Sequence, residues 1–233
     1  MNEPNARFLE PTEIIDSDHP DVAAFASEIT RGVEAEHVTS AVRLYDAVRD
    51  GIRYDPYVPF YRPEHYRASL VLAARRGYCV PKASLLCALG RACGIPTRVG
   101  FAHVRNHLST RQLLEYMGTD LFVFHGYTEF FLQGRWVKAT PAFNAELCHR
   151  HRVAPLEFDG RNDSLFQPYN LDQRQFMEYV EDLGAFSDIP VDLIVQGWET
   201  AYGKQRVRGW IEEFEKNGGL SPRRFREEEV VQP

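Results

Sequence analysis

The sequence predicts an α+β fold in which one buried helix meets a mainly antiparallel sheet. Three observations carry that expectation. Residues 76–100, RGYCVPKASLLCALGRACGIPTRVG, read as a helix running into a strand. Residues 121–139 read as a long strand, a turn and a returning strand, and helical periodicity occupies both ends of the chain.

The central helix is bounded by Pro81, tolerated in a first turn that lacks N–H partners, and by Gly94 before Ile95-Pro96. Leu85, Leu86, Leu89, Ala92 and Cys93 recur at helical spacing and define a core-facing stripe. Gly90 within it weakens a helix by about 1 kcal/mol relative to alanine, which predicts a close neighbour. Cys79 then falls at the helix N-terminus, where the dipole favours a thiolate.

Upstream, residues 1–20 are polar and proline-containing and read as an extended lead-in. Val22, Phe25, Ala26 and Ile29 form one helical stripe. Val42, Tyr45, Val48 and Arg49 form a second, capped by Thr39 or Ser40 and ended by Gly51. A loop rich in proline and tyrosine follows, from Tyr54 to Tyr66, and an apolar segment from Ser69 to Arg75 returns the chain to Gly77.

Downstream, Thr97 to Ala102 has strand character, and a short helix is expected over Thr110 to Met117, started by Ser109 and stopped by Gly118. Leu121 to Leu132 is β-branched and aromatic, Gln133-Gly134 is a hairpin turn, and Arg135 to Ala139 is its partner. Val153 to Phe158 and Ser164 to Phe166 read as further short strands. Phe176, Tyr179, Val180 and Leu183 read as a helical stripe, followed by Leu193, Ile194, Trp198 and Tyr202, then Trp210, Ile211 and Phe214. The expected organisation is a catalytic core over 1–170, a helical extension over 171–217 and a mobile tail over 218–233.

A chain of 233 residues with 44% hydrophobic content can bury a core without disulfides. Four irregularly spaced cysteines and no signal-like or membrane-spanning run point to free thiols and a cytoplasmic location. A net charge of −6 disfavours nucleic acid as the main partner. His103 and His107, and the cluster Cys148-His149-Arg150-His151, lack zinc-site spacing, so no metal and no cofactor are expected. Oligomeric state cannot be read from the sequence.

Strand alternation puts His125, Tyr127, Glu129 and Phe131 on one face and Phe124, Gly126, Thr128 and Phe130 on the other. If this strand runs beside the start of the central helix, His125 can serve Cys79 as a base. Tyr54, Tyr61 and Tyr78 are candidate donors to an oxyanion, His103 and His107 candidate cleft-flanking groups, and Glu129 a support or a structural pair.

The succession GYC at a helix start, RACGIPTRVG, and HGYTEFFLQGRWVKATP resembles the transglutaminase-like superfamily, which includes papain-like cysteine hydrolases. The resemblance runs from about Ala24 to Asn144. It implies Cys79 as nucleophile, His125 as general base and acid, and thiol-dependent acyl transfer at an amide of a peptide, protein or other substrate. It also implies an acidic residue on the strand after the histidine, where this chain has Thr140; Asn144 is the other candidate for that position. The alternative expectation is a binding module on the same scaffold, relieved of catalysis.

Overall fold

The computed structural model describes residues 6–228. The first elements are α1 (Pro20–Thr30), α2 (His37–Gly51), a two-residue strand β1 (Arg53–Tyr54), α3 (Ala68–Ala74), β2 (Arg76–Gly77) and α4 (Cys79–Ala92). Next come β3 (Thr97–Asn106), α5 (Arg111–Met117), β4 (Leu121–Leu132), β5 (Arg135–Ala139) and α6 (Ala145–Arg150). The chain continues through β6 (Met177–Phe186), α7 (Val191–Tyr202) and α8 (Lys204–Lys216). An antiparallel sheet has the order β5-β4-β3-β6, and β1 pairs with β2 in parallel.

Helix α4 is buried from Val80 to Arg91, with α1, α2 and α3 on one side and β4 on the other. Its C-terminus closes through Gly94, in a left-handed conformation, with Ile95 N–H donating to Gly90 O at 2.9 Å. A Cβ on Gly90 would lie 2.5 Å from Thr97 Cγ2 and 2.9 Å from Phe130 Cε1, which is the close neighbour its position predicts. Gly90→Ala is therefore expected to destabilise the fold by about 2 kcal/mol despite alanine's higher helix propensity. A thermal melt reads this as a loss of roughly 4–8 °C; an unchanged or raised midpoint would mean that the neighbours yield freely.

The alternation on β4 follows the sequence. Thr128 donates to Ala83 O at 2.9 Å and Gly126 lies against Val80, whereas His125 and Tyr127 face a second, smaller core beyond the sheet. Two polar residues lock α4 in place. Lys82, fully buried, donates to Arg49 O at 2.8 Å and Ile52 O at 2.6 Å at the end of α2. Arg91 holds Glu10 O, Thr97 O and Ser187 O.

Helix α2 starts at His37, ahead of Thr39 and Ser40; the Ser40 hydroxyl donates to Val33 O and caps nothing. At α5 the capping residue is Thr110, whose side chain accepts from Leu113 N–H, and not Ser109. The lead-in carries a short 3-10 turn, Ala6–Phe8, and buries Phe8, Ile14 and Ile15.

Four expectations are corrected. Residues 153–158 and 164–166 form no strands, apart from an isolated bridge between Ala139 and Ser164. The six-residue α6 lies just before them. Phe176 to Leu183 is not helical: Met177–Phe186 is the edge strand β6, paired with β3. Its apolar residues fit a helical stripe as well, and pairing with β3 decides between the two. Exposed Glu178, Glu181 and Asp182 guard that edge. The helices of the extension thus begin at Val191.

The tail from 218 to 228 is seated, while 229–233 lie outside the described residues. Phe225 packs on Tyr54 with ring centroids 5.5 Å apart, and Arg150 donates to Phe225 O and Glu228 O. The buried Glu228 carboxylate accepts from Tyr57 Oη at 2.7 Å and Thr110 Oγ1 at 2.5 Å.

Candidate active site

Strand β5 ends at Ala139, opposite Thr128, so the edge of β4 beyond it is left unpaired by β5. The N-terminus of α4 approaches there. Gly126 makes this possible: a Cβ would sit 3.0 Å from both Cα and Cγ2 of Val80. The amides of Gly126, Val80 and Cys79 lie near enough to the Cys79 sulfur to favour its thiolate, though none forms a hydrogen bond to it among the described residues. Half-buried Cys79 is thereby fixed beside the residue that follows His125, and it touches both hydrophobic cores.

The strand is irregular at this point. Between the pairs Ala102–His125 and Val104–Phe122, β4 carries an extra residue, and Phe124 has φ 55°. Such a bulge re-aims the side chains that follow it, and a bulky residue in this conformation must be held from outside. Two contacts hold it. The Phe124 amide donates to His103 Nδ1 at 3.2 Å, and its ring occupies the space over Gly197, where a Cβ would be 2.3 Å from Phe124 Cε2.

Cys79 and His125 line one partly open pocket. Among the described residues no hydrogen bond joins them. Burial pushes the Cys79 thiol up to about 11, outweighing the three amides that favour the thiolate. Burial also lowers His125 to about 3. The pair is therefore neutral near pH 7; desolvation overrides the helix dipole that predicts an acidic thiol. His125 is 5% exposed, packs on the Phe166 ring at 5.2 Å, and has an unpartnered Nε2; among the described residues no carboxylate contacts it.

Thr140 lies just past β5, 1% exposed; its hydroxyl lies beside the Tyr179 phenol, and its carbonyl accepts from Tyr45 Oη at 3.1 Å. The Asn144 side chain is engaged elsewhere. Its Oδ1 accepts from Tyr54 N–H at 2.6 Å, and its Nδ2 donates to Arg49 O and to Ile52 O, so it ties the loop after β5 to the end of α2.

Tyr54 and Tyr78 line the pocket. Burial raises the Tyr54 phenol, with the nearby Cys79 as the next cause, and its hydroxyl makes no hydrogen bond among the described residues. The Tyr78 hydroxyl is committed to Tyr66 Oη at 2.8 Å, which in turn donates to Phe60 O. Tyr61 lies against His65 and does not line the pocket. His103 holds the bulge and has Glu181 at 3.9 Å, while His107 lies 3.4 Å from Glu178. Glu129 is ion-paired with Arg98 at 2.5 Å, and that guanidinium covers the Trp136 ring.

Sequence reasoning placed Trp198, Tyr202, Trp210 and Phe214 in core-facing helical stripes, yet all four line the pocket. Tyr202 Oη also accepts the Val123 amide at 2.9 Å. The available signal was the i,i+4 spacing of aromatics, which marks buried faces and pocket walls alike.

The fold is similar to two solved structures. One is from Cytophaga hutchinsonii and is called a "putative cysteine protease". It has 16% identity and a TM-score of 0.49, with 81% of this chain and 48% of that chain covered. The other is a "putative protease" from Parabacteroides distasonis, with 17% identity, a TM-score of 0.39, and coverage of 58% and 26%. The chain thus spans about half the length of the first of these. Nothing matches among curated proteins. The model of the transglutaminase-like superfamily matches residues 23–141, half of the chain, a span that includes Cys79, His125 and Thr140. The protein belongs to the transglutaminase-like superfamily.

Proposed function

We propose that the protein catalyses thiol-dependent acyl transfer at an amide bond, with Cys79 as nucleophile and His125 as general base and acid. The observation that supports this most is that Cys79 and His125 line one pocket, where Gly126 lets β4 pack directly on Val80 at the start of α4. His125 takes the thiol proton as sulfur bonds to the carbonyl carbon; backbone amides at the start of α4 and the free Tyr54 hydroxyl supply donors for the oxyanion. Collapse breaks the C–N bond, His125 returns the proton to the departing amine, and a thioester remains. Water then completes hydrolysis or deamidation, whereas an amine completes a crosslink. Thr140 is the remaining candidate to orient the imidazole, since the Asn144 amide is occupied.

Because thiol and imidazole are both neutral at rest, proton transfer belongs to the acylation step itself. Between the depressed His125 and the raised Cys79, neither group changes its charge. The expected kcat/KM for acylation is then flat within about threefold from pH 5 to 9. A preformed thiolate–imidazolium pair would instead give a bell with limbs inside or close to that range. The direct test is acylation by p-nitrophenyl phenylacetate, read as intact mass and mapped by peptide digestion. The adduct is expected on Cys79, and His125→Ala is expected to slow its formation by about 10²–10⁴-fold. An adduct elsewhere, or an unchanged rate in His125→Ala, refutes the reading.

Among the described residues no carboxylate contacts His125, which favours a second reading, a binding module without turnover. It predicts no adduct at Cys79 under the same conditions.

A further inference from the structure

The pocket that holds Cys79 and His125 has two sources. The family-matched half supplies those two residues and Tyr54; α7 and α8, outside that half, supply Trp198, Tyr202 and Trp210. The roof is clamped to the bulge beside His125, through Gly197 receiving the Phe124 ring and Tyr202 accepting the Val123 amide. The walls are interlocked aromatics: Phe60 lies 4.3 Å from Trp198, and Tyr116 stacks on Trp210 at 4.5 Å. Aromatics held this way offer large apolar area with little side-chain entropy left to lose.

Charge and hydrogen bonding narrow the ligand. No Asp, Glu, Lys or Arg lines this pocket among the described residues, so a charged group bound there would lack a counterion in an apolar setting. Three donors on lining residues nevertheless lack an acceptor among the described residues. Trp198 Nε1 is buried and unpartnered, the Tyr54 hydroxyl makes no hydrogen bond, and the Tyr202 hydroxyl accepts one but donates none. A buried donor without a partner, as Trp198 Nε1 is, is costly, and a carbonyl oxygen supplies what it lacks.

We infer that this pocket binds an uncharged amide whose carbonyl is flanked by an aromatic or branched aliphatic group. The assignment deepens the acyl-transfer reading by naming its substrate class, and as a substrate site it rests on that reading. It excludes a free carboxylate and a cationic side chain as the buried group. The C-terminal helices, with Trp198 and Trp210, then determine specificity.

The test separates binding from chemistry. The whole protein is titrated with 3-phenylpropionamide, 3-phenylpropionate and acetamide, following tryptophan fluorescence. The neutral aryl amide is expected to bind at least about tenfold more tightly than either of the others, given the apolar area it adds over acetamide. Val58→Trp, which fills the pocket and removes no donor, is expected to abolish that preference; Trp198→Leu is expected to reduce it. Equal affinity for the three probes, stronger binding of the carboxylate, or an undiminished preference in Val58→Trp overturns the inference. Acylation is read in parallel, with p-nitrophenyl 3-phenylpropionate against p-nitrophenyl acetate. Selective amide binding without a Cys79 adduct supports the pocket assignment and removes the thiol chemistry. A Cys79 adduct formed at equal rates from both esters, with no binding preference, does the reverse.

Discussion

Cys79→Ala is expected to abolish acyl transfer, a fall on the order of 10⁴-fold or more in kcat/KM, because the proposed route has no substitute for the sulfur. Removing a nucleophile from a Ser-His site costs about 10⁶-fold in kcat, which sets the scale. The side chain is half-buried at the first turn of α4, and alanine removes only its sulfur atom. Stability should therefore change by less than about 1 kcal/mol, so that lost turnover cannot be ascribed to unfolding. Cys79→Ser tests the same point with the shape preserved, since a hydroxyl buried there is a far weaker acid than the thiol. Retained turnover in either variant would remove Cys79 from the mechanism.

The largest expected effect on stability comes from Lys82→Ala. The side chain is fully buried, and burial pulls its proton affinity well below that of an ordinary lysine. Its nitrogen donates to the last carbonyls of α2. Alanine leaves a cavity and deprives Arg49 O and Ile52 O of a donor, at a cost of about 3–5 kcal/mol. Thermal denaturation should register this as a loss of roughly 10 °C. Lys82→Met refills the volume and should recover part of that loss. Asn144 donates to the same two carbonyls, so Lys82→Ala and Asn144→Ala are expected to be non-additive. Strict additivity would show that the two side chains act separately.

The parts of the fold that could be read from sequence are those with a single period. Helix α4 has a clear stop and a glycine whose neighbour is found, and the β4–β5 hairpin has strand residues flanking Gln133-Gly134. Residues 176–183 satisfied two periods at once, and only pairing with β3 resolves them. Helix α6 is too short to announce itself. Within the candidate site, the positions of Cys79 and His125 follow from local pattern and from the family resemblance. Their protonation does not, because it depends on burial by side chains as remote as Phe166 and Tyr202. Asn144 looked like a candidate partner for the imidazole, and its contacts with Tyr54 and α2 involve residues some ninety positions away.

The seat of Phe225 and Glu228 bears on how the molecule can be divided. The family match stops at residue 141, yet the fourth strand of the sheet, the pocket roof and the anchor for Tyr57 and Thr110 all come later in the chain. A fragment trimmed to the recognisable motif would carry the thiol and imidazole but expose raw apolar faces around them. Expression for biochemical work should therefore extend at least through Glu228, and limited proteolysis near the C-terminus should be tested as a cause whenever a preparation proves inert.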